Sequence, residues 1–139
     1  MRRTAWLSRN KRFGLHHAQL RWHRGSFVSA SYTGGHNVIE IANGGATVRS
    51  PSHGAWEKIG GRKYGSTVIF VRYDPVSGAY LGTLKIRHEL EVAEDGQSFT
   101  GVAIGELRDA NGNLLPGSNT RKDTVTAERI NVEPLPDLP

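Results

Sequence analysis

Between Gly25 and Val132 the chain is a succession of strand-forming stretches separated by short, glycine-bearing turns. This spacing constrains the fold more than any other feature. Strands joined by a few residues pair antiparallel with their chain neighbours, because a parallel return needs a crossover of a dozen residues or more. Residues 25–32 are rich in strand formers and end at Thr33-Gly34-Gly35, and 37–42 follow. Asn43-Gly44-Gly45 then reads as a hairpin turn into a strand over 46–49, since Asn-Gly suits two turn positions of positive φ. Ser50-Pro51-Ser52-His53-Gly54 reads as a turn, and 55–59 as a short strand closed by Gly60-Gly61. Strands are expected over 64–73, 79–92, 98–108 and 124–132, before Pro134, Pro136 and Pro139 end regular structure.

About eight strands and no long helix predict an all-β fold. The expected architecture is an antiparallel up-and-down barrel of seven or eight strands, with a short N-terminal arm. Closure removes the sheet edges that so many strands would otherwise expose. Gly101 and Gly105 suit sharply coiled strands. A two-sheet sandwich is the alternative, but few connections are long enough for Greek-key crossovers. In the longest strand Leu84, Ile86, His88, Leu90 and Val92 share a dry face, and Thr83, Lys85, Arg87, Glu89 and Glu91 share a polar one.

The 139 residues suit one domain, and the absence of cysteine excludes disulfides, thiolate metal sites and a cysteine nucleophile. No apolar run approaches the roughly 20 residues of a membrane-spanning helix. The net charge of +5 is unevenly placed. Residues 1–24 hold seven basic residues and no acid, leaving 11 basic and 13 acidic residues in the remainder. The chain therefore divides into a basic arm, 1–24, loosely docked or disordered, and a mildly acidic barrel domain, 25–135. A short helix over 16–22 is a weak alternative within the arm, as is a structured first element packed on the domain. The arm has no secretory signal pattern, and a cytoplasmic location is expected. Nucleic acid is expected to make at most a weak contact with the arm.

Gly54-x-Trp56-Glu57, Phe70-Val71-Arg72-Tyr73-Asp74 and Gly78-x-x-x-Gly82-Thr83-x-Lys85-x-Arg87 together resemble a family of small bacterial lipocalin-like (calycin-like) β-barrel proteins, mostly uncharacterised. The resemblance continues through Ser98-Phe99-Thr100-Gly101, Glu106-x-x-Asp109-x-x-Gly112-Asn113 and Arg129-Ile130-x-Val132, and covers residues 37–135. It implies an up-and-down barrel whose interior takes a small apolar ligand, and no defined chemistry. The first strand departs from the family pattern, with Phe27 standing where a tryptophan is usual; either that strand is divergent or a partner chain completes the barrel.

Trp56 either plugs one barrel end or lines a pocket there. Phe70, Arg72 and Tyr73 lie on the following strand, and alternation puts Phe70 and Arg72 on one face and Val71 and Tyr73 on the other. With Phe70 and Arg72 inward the pocket is charged, and this version is preferred, with Lys85, Arg87 and Glu106 as neighbours that satisfy Arg72. If Lys85, Arg87 and Glu106 face outward instead, they form a solvated cross-strand ladder. Glu57 or Glu106 raised by burial would be a general base. His88 on its dry face reads as a hydrogen-bonded core histidine rather than a ligand. No three-ligand metal spacing, phosphate loop or nucleophile elbow is present.

The leading functional expectation is a binding module for a small apolar or carboxylate-bearing compound, with no cofactor. A cofactor-free isomerase, cyclase or dehydratase using a barrel carboxylate is the second, favoured by a buried carboxylate facing a histidine or tyrosine. An interaction protein forming a homodimer is the third.

Overall fold

The computed structural model describes residues 17–22, 26–42 and 48–137, with side chains for 30–42 and 48–137. Eight strands follow one another in the chain: β1 (His17–Trp22), β2 (Ser26–Tyr32), β3 (Asn37–Ala42), β4 (Ser52–Gly60), β5 (Lys63–Tyr73), β6 (Tyr80–Val92), β7 (Ser98–Arg108) and β8 (Lys122–Arg129). Each pairs antiparallel with its neighbour and β8 returns to β1, so the order closes into an up-and-down, calycin-like barrel.

The closing strand lies where an arm was expected. Gln19 is opposite Ser29 on one side and Glu128 on the other, and Leu20 is opposite Val28 and Ala127. Among the described residues the barrel thus includes His17–Trp22, ahead of Gly25, and 17–22 is strand rather than helix. A strand between two ladders draws on backbone hydrogen bonds from both sides, and these need no side-chain periodicity. The rest of the expected arm, 1–16 and 23–25, lies outside the described residues.

The hairpin expected after Ala42 falls mostly on 43–47, also outside the described residues. Arg49 is not part of a strand and makes an isolated bridge opposite Arg72, while β4 starts at Ser52, inside the expected turn. His53 pairs with Ile69, so four residues back along the chain match three forward on β5: one residue is inserted at Ser50-Pro51. Pro51 cannot donate to the ladder, and Ser50 holds the break by bonding Val71 through both its backbone N–H and its hydroxyl. The insertion changes parity, so odd-numbered Arg49 shares the inner face with even-numbered Ser52.

Alternation separates inside from outside. Tyr64, Ser66, Val68 and Phe70 of β5, and Ile86, His88, Leu90 and Val92 of β6, are buried. Val38, Ala103, Val125 and Ala127 join them in one core. Val68 and Val125 have no exposed surface at all, so the described core reaches the middle of the barrel. Two glycines permit this tight coiling: a Cβ on Gly54 would strike the Thr67 carbonyl, and one on Gly101 the Glu89 carbonyl.

Candidate functional site

The two ends of the barrel differ in chemistry. One end, near the β2–β3 and β4–β5 turns, is closed by aromatic rings. Tyr32 meets Trp56 and Phe99 edge-on, each with ring centroids 6.5 Å apart, and Trp56 lies 5.8 Å from Tyr64. His36 stacks on Trp56 at 4.9 Å, and the indole Nε1 donates to the Thr33 carbonyl at 3.0 Å. Large rings packed edge to face, with the indole N–H satisfied, make a plug. Trp56 therefore sits in the core, at the end opposite to Phe70 and Arg72.

The other end carries arginine. Phe70 is buried, and Arg72, two residues on, continues the inner face of β5 and stays partly exposed. Arg49 stands opposite Arg72 across the ladder, its guanidinium 3.5 Å above the centre of the Phe70 ring. Stacking on the ring and a hydrogen bond from Nη2 to Ser52 Oγ at 2.5 Å fix its orientation. Burial lowers the Arg49 pKa, and Glu40 opposes that shift.

Glu40 lies beneath, opposite Ser52 in the β3–β4 ladder. It is 3% exposed, while its neighbours Ile39 and Ile41 are 42% and 62% exposed. The strand Val38-Ile39-Glu40-Ile41-Ala42 is thus turned opposite to what hydrophobicity alone dictates: the acid faces inward and the isoleucines face water. The register of the β2–β3 hairpin enforces this, because Tyr32 pairs with Val38 and Ala30 with Glu40, which aligns the even positions with the interior. Glu40 Oε1 has no hydrogen-bond partner among the described residues. Burial pushes the carboxyl up to about 7, against the pull of the Arg49 charge and the Ser52 hydroxyl.

Further in, the Tyr32 hydroxyl is buried and makes no hydrogen bond of normal geometry among the described residues. Burial raises its pKa far above the usual phenol range, the Glu40 charge adds to this, and the Ser66 hydroxyl opposes it. Ser66 Oγ shares a hydrogen bond with His88 Nδ1 at 3.0 Å. Burial pushes His88 down to about 4, so its imidazole is neutral at pH 7. The interior thus combines a carboxyl poised near neutrality, a phenol donor, a neutral imidazole and a half-buried guanidinium.

Lys85, Arg87 and Glu106 are elsewhere. They occupy the outer wall, where Lys85 pairs directly with Glu106. Glu106 accepts from Lys85 Nζ at 3.2 Å, Arg87 Nη2 at 2.7 Å and Arg108 Nε at 2.9 Å, and Arg87 also donates to Asn119 Oδ1. These hydrogen bonds hold its carboxyl down at about 2, the Arg87 bond contributing most. Glu106 is buried by the cations over it rather than by the barrel, so the outward ladder, not the inward neighbours of Arg72, describes this group. Tyr73 likewise falls on the face opposite to Phe70 and Arg72. A groove of about 390 Å³ on the outer wall is lined by residues of β4, β5 and β6, among them Ile59, Gly65, Thr67, Arg87 and Glu89.

Alternation along β5 puts Phe70 and Arg72 on the inner face, whereas no motif in the sequence singles out Tyr32, Glu40, Arg49 or Ser52. The pattern of 37–42 pointed the wrong way for Glu40, and the inserted residue at Ser50-Pro51 hid Arg49. No group of three or more potential metal ligands occurs among the described residues. Compared with protein-family models, curated proteins and solved structures, the chain matches none.

Proposed function

We propose that this barrel is a small-molecule binding module whose ligand enters at the arginine end and carries a carboxylate. One observation carries the reading: Arg49 and Arg72 stand opposite each other on the inner face, partly exposed, above a buried Glu40 that keeps one oxygen unpartnered. Guanidinium groups present planar, paired donors that match a carboxylate. Val68 and Phe70 are buried below the arginines, so the binding region is the mouth and the polar groups directly under it. The closed up-and-down topology also supports kinship with the small bacterial lipocalin-like barrels that the sequence resembles.

Calorimetric titration of small carboxylates into wild type, Arg49→Met and Arg72→Met tests the reading. Saturable binding that weakens at least tenfold in both variants supports it. Equal binding to all three proteins, or none to any, refutes it.

A second reading, a cofactor-free isomerase, cyclase or dehydratase, is favoured by a different observation. Glu40 is a buried carboxyl whose proton affinity matches neutral pH, the condition for efficient general acid–base catalysis, and Tyr32 is a donor on the adjoining strand β2. Turnover of a bound carboxylate that Glu40→Gln abolishes, with affinity retained, would establish this role; binding without turnover would leave the protein a binding module.

A further inference from the structure

Resting on that binding reading, we infer that the ligand is an oxo acid, its carboxylate held by Arg49 and Arg72 and its carbonyl oxygen accepting hydrogen bonds from Glu40 and Tyr32. Two buried polar atoms on the paired strands β2 and β3, Glu40 Oε1 and Tyr32 Oη, lack partners among the described residues. Each unsatisfied buried group costs about 1–3 kcal/mol. Such costs persist in native proteins where water or a ligand discharges them. The inverted β3 strengthens the point, since placing Ile39 and Ile41 in water and Glu40 inside violates the local pattern, as functional sites do.

The chemical class follows from charge. Among the described residues, the charged or titratable side chains on the inner face include Tyr32 on β2, Arg49 before β4, Tyr64 and Arg72 on β5, His88 on β6 and Asp123 on β8. Asp123 is already held by Arg121 at 2.8 Å, and neutral His88 is engaged by Ser66. A ligand carboxylate entering this layer adds a negative charge close to Glu40, and like charges there favour the protonated carboxyl. Glu40, already half-protonated near pH 7, then becomes a hydrogen-bond donor. Tyr32 remains protonated and is also a donor. Both donors stand on the inner faces of the paired strands β2 and β3, where Ala30 is opposite Glu40 and Tyr32 is two residues on, and one acceptor oxygen reaching both satisfies them. A carbonyl provides that, and the corresponding saturated acid does not. A buried neutral carboxyl beside a tyrosine is an established way to hold a carbonyl oxygen.

The test compares levulinate with pentanoate, and phenylpyruvate with phenylpropanoate, by calorimetry at pH 7 in buffers of different ionisation enthalpy. The expected result is at least tenfold tighter binding of each oxo acid. Binding should take up about half a proton per ligand, since Glu40 begins about half-protonated at this pH. Glu40→Gln, which keeps a neutral donor, should abolish the proton uptake. Tyr32→Phe should cut the preference for the oxo acid about tenfold; each variant's fold is checked by near-ultraviolet circular dichroism. Oxo and deoxo acids binding equally, or proton uptake that survives Glu40→Gln, would overturn this inference while leaving the carboxylate site standing. No saturable binding by any of the four acids would overturn both.

Discussion

Replacing Glu40 with glutamine should expose a pH dependence of stability that the native protein conceals. The native Glu40 carboxyl keeps its proton up to about pH 7, whereas its ordinary value is 4.5. Between these values folding takes up a proton, so raising the pH through this window destabilises the fold. Native His88 loses its proton by about pH 4, against an ordinary 6.5. There the unfolded chain binds the proton, and raising the pH from 4 to 6.5 stabilises the fold. Each displacement is worth about 3 kcal/mol, at ~1.4 kcal/mol per tenfold change in proton affinity. The two have opposite sign and overlap in range, so wild-type stability should vary by under about 1 kcal/mol between pH 4.5 and 7. Glu40→Gln removes one side of this balance. Its unfolding free energy, from urea denaturation at half-unit pH steps, should rise by about 3 kcal/mol over the same interval. His88→Gln should fall by a similar amount. Glu106, Asp74 and Asp109 have lowered carboxyl pKa values and act only below this window. A Glu40→Gln profile parallel to wild type would refute the reasoning, because it would mean that native Glu40 titrates as an ordinary carboxylate.

Leu20→Pro should cost about 3 kcal/mol or more in urea unfolding, because β1 is paired on both sides and proline removes a ladder donor; a loss below about 1 kcal/mol would mean that β1 does not close the barrel. Trp56→Ala should cost about 3–5 kcal/mol by unplugging the aromatic end, a core role that a peripheral pocket residue would not show. Glu106→Gln removes the one acid beneath three cations, so thermal unfolding should occur at lower temperature and added salt should recover part of the loss. A loss insensitive to salt would show that hydrogen-bond geometry, rather than repulsion among Lys85, Arg87 and Arg108, dominates there.

The architecture was legible because short turns admit few topologies. The alternation in β6 placed Leu84, Ile86, His88, Leu90 and Val92 on the inner face, and the structure has them there. The same period on β5 left two choices, and Phe70 with Arg72 is the inward one. What escaped was governed by partners far away in sequence. β1 is a strand because β2 and β8 both need one beside them, which its own residues do not announce. Glu40 faces inward because the hairpin register with β2 outweighs the preference of Ile39 and Ile41 for burial. Arg49 reaches the interior only because a single inserted residue at Ser50-Pro51 reverses parity, and a proline turn signal looks the same whether or not it does so. Lys85, Arg87 and Glu106 do not reach Arg72, and the parity of β6 already puts Lys85 and Arg87 on its polar side.

The most direct test of a poised, carboxylate-responsive interior is a carbon-13 NMR titration of the glutamate side-chain carboxyls, with Glu40 assigned by the Glu40→Gln spectrum, in the absence and presence of levulinate. The account predicts a Glu40 midpoint at about pH 7 in the free protein, moving upward when the oxo acid binds. A midpoint in the ordinary carboxylate range, unmoved by saturating ligand, would contradict it.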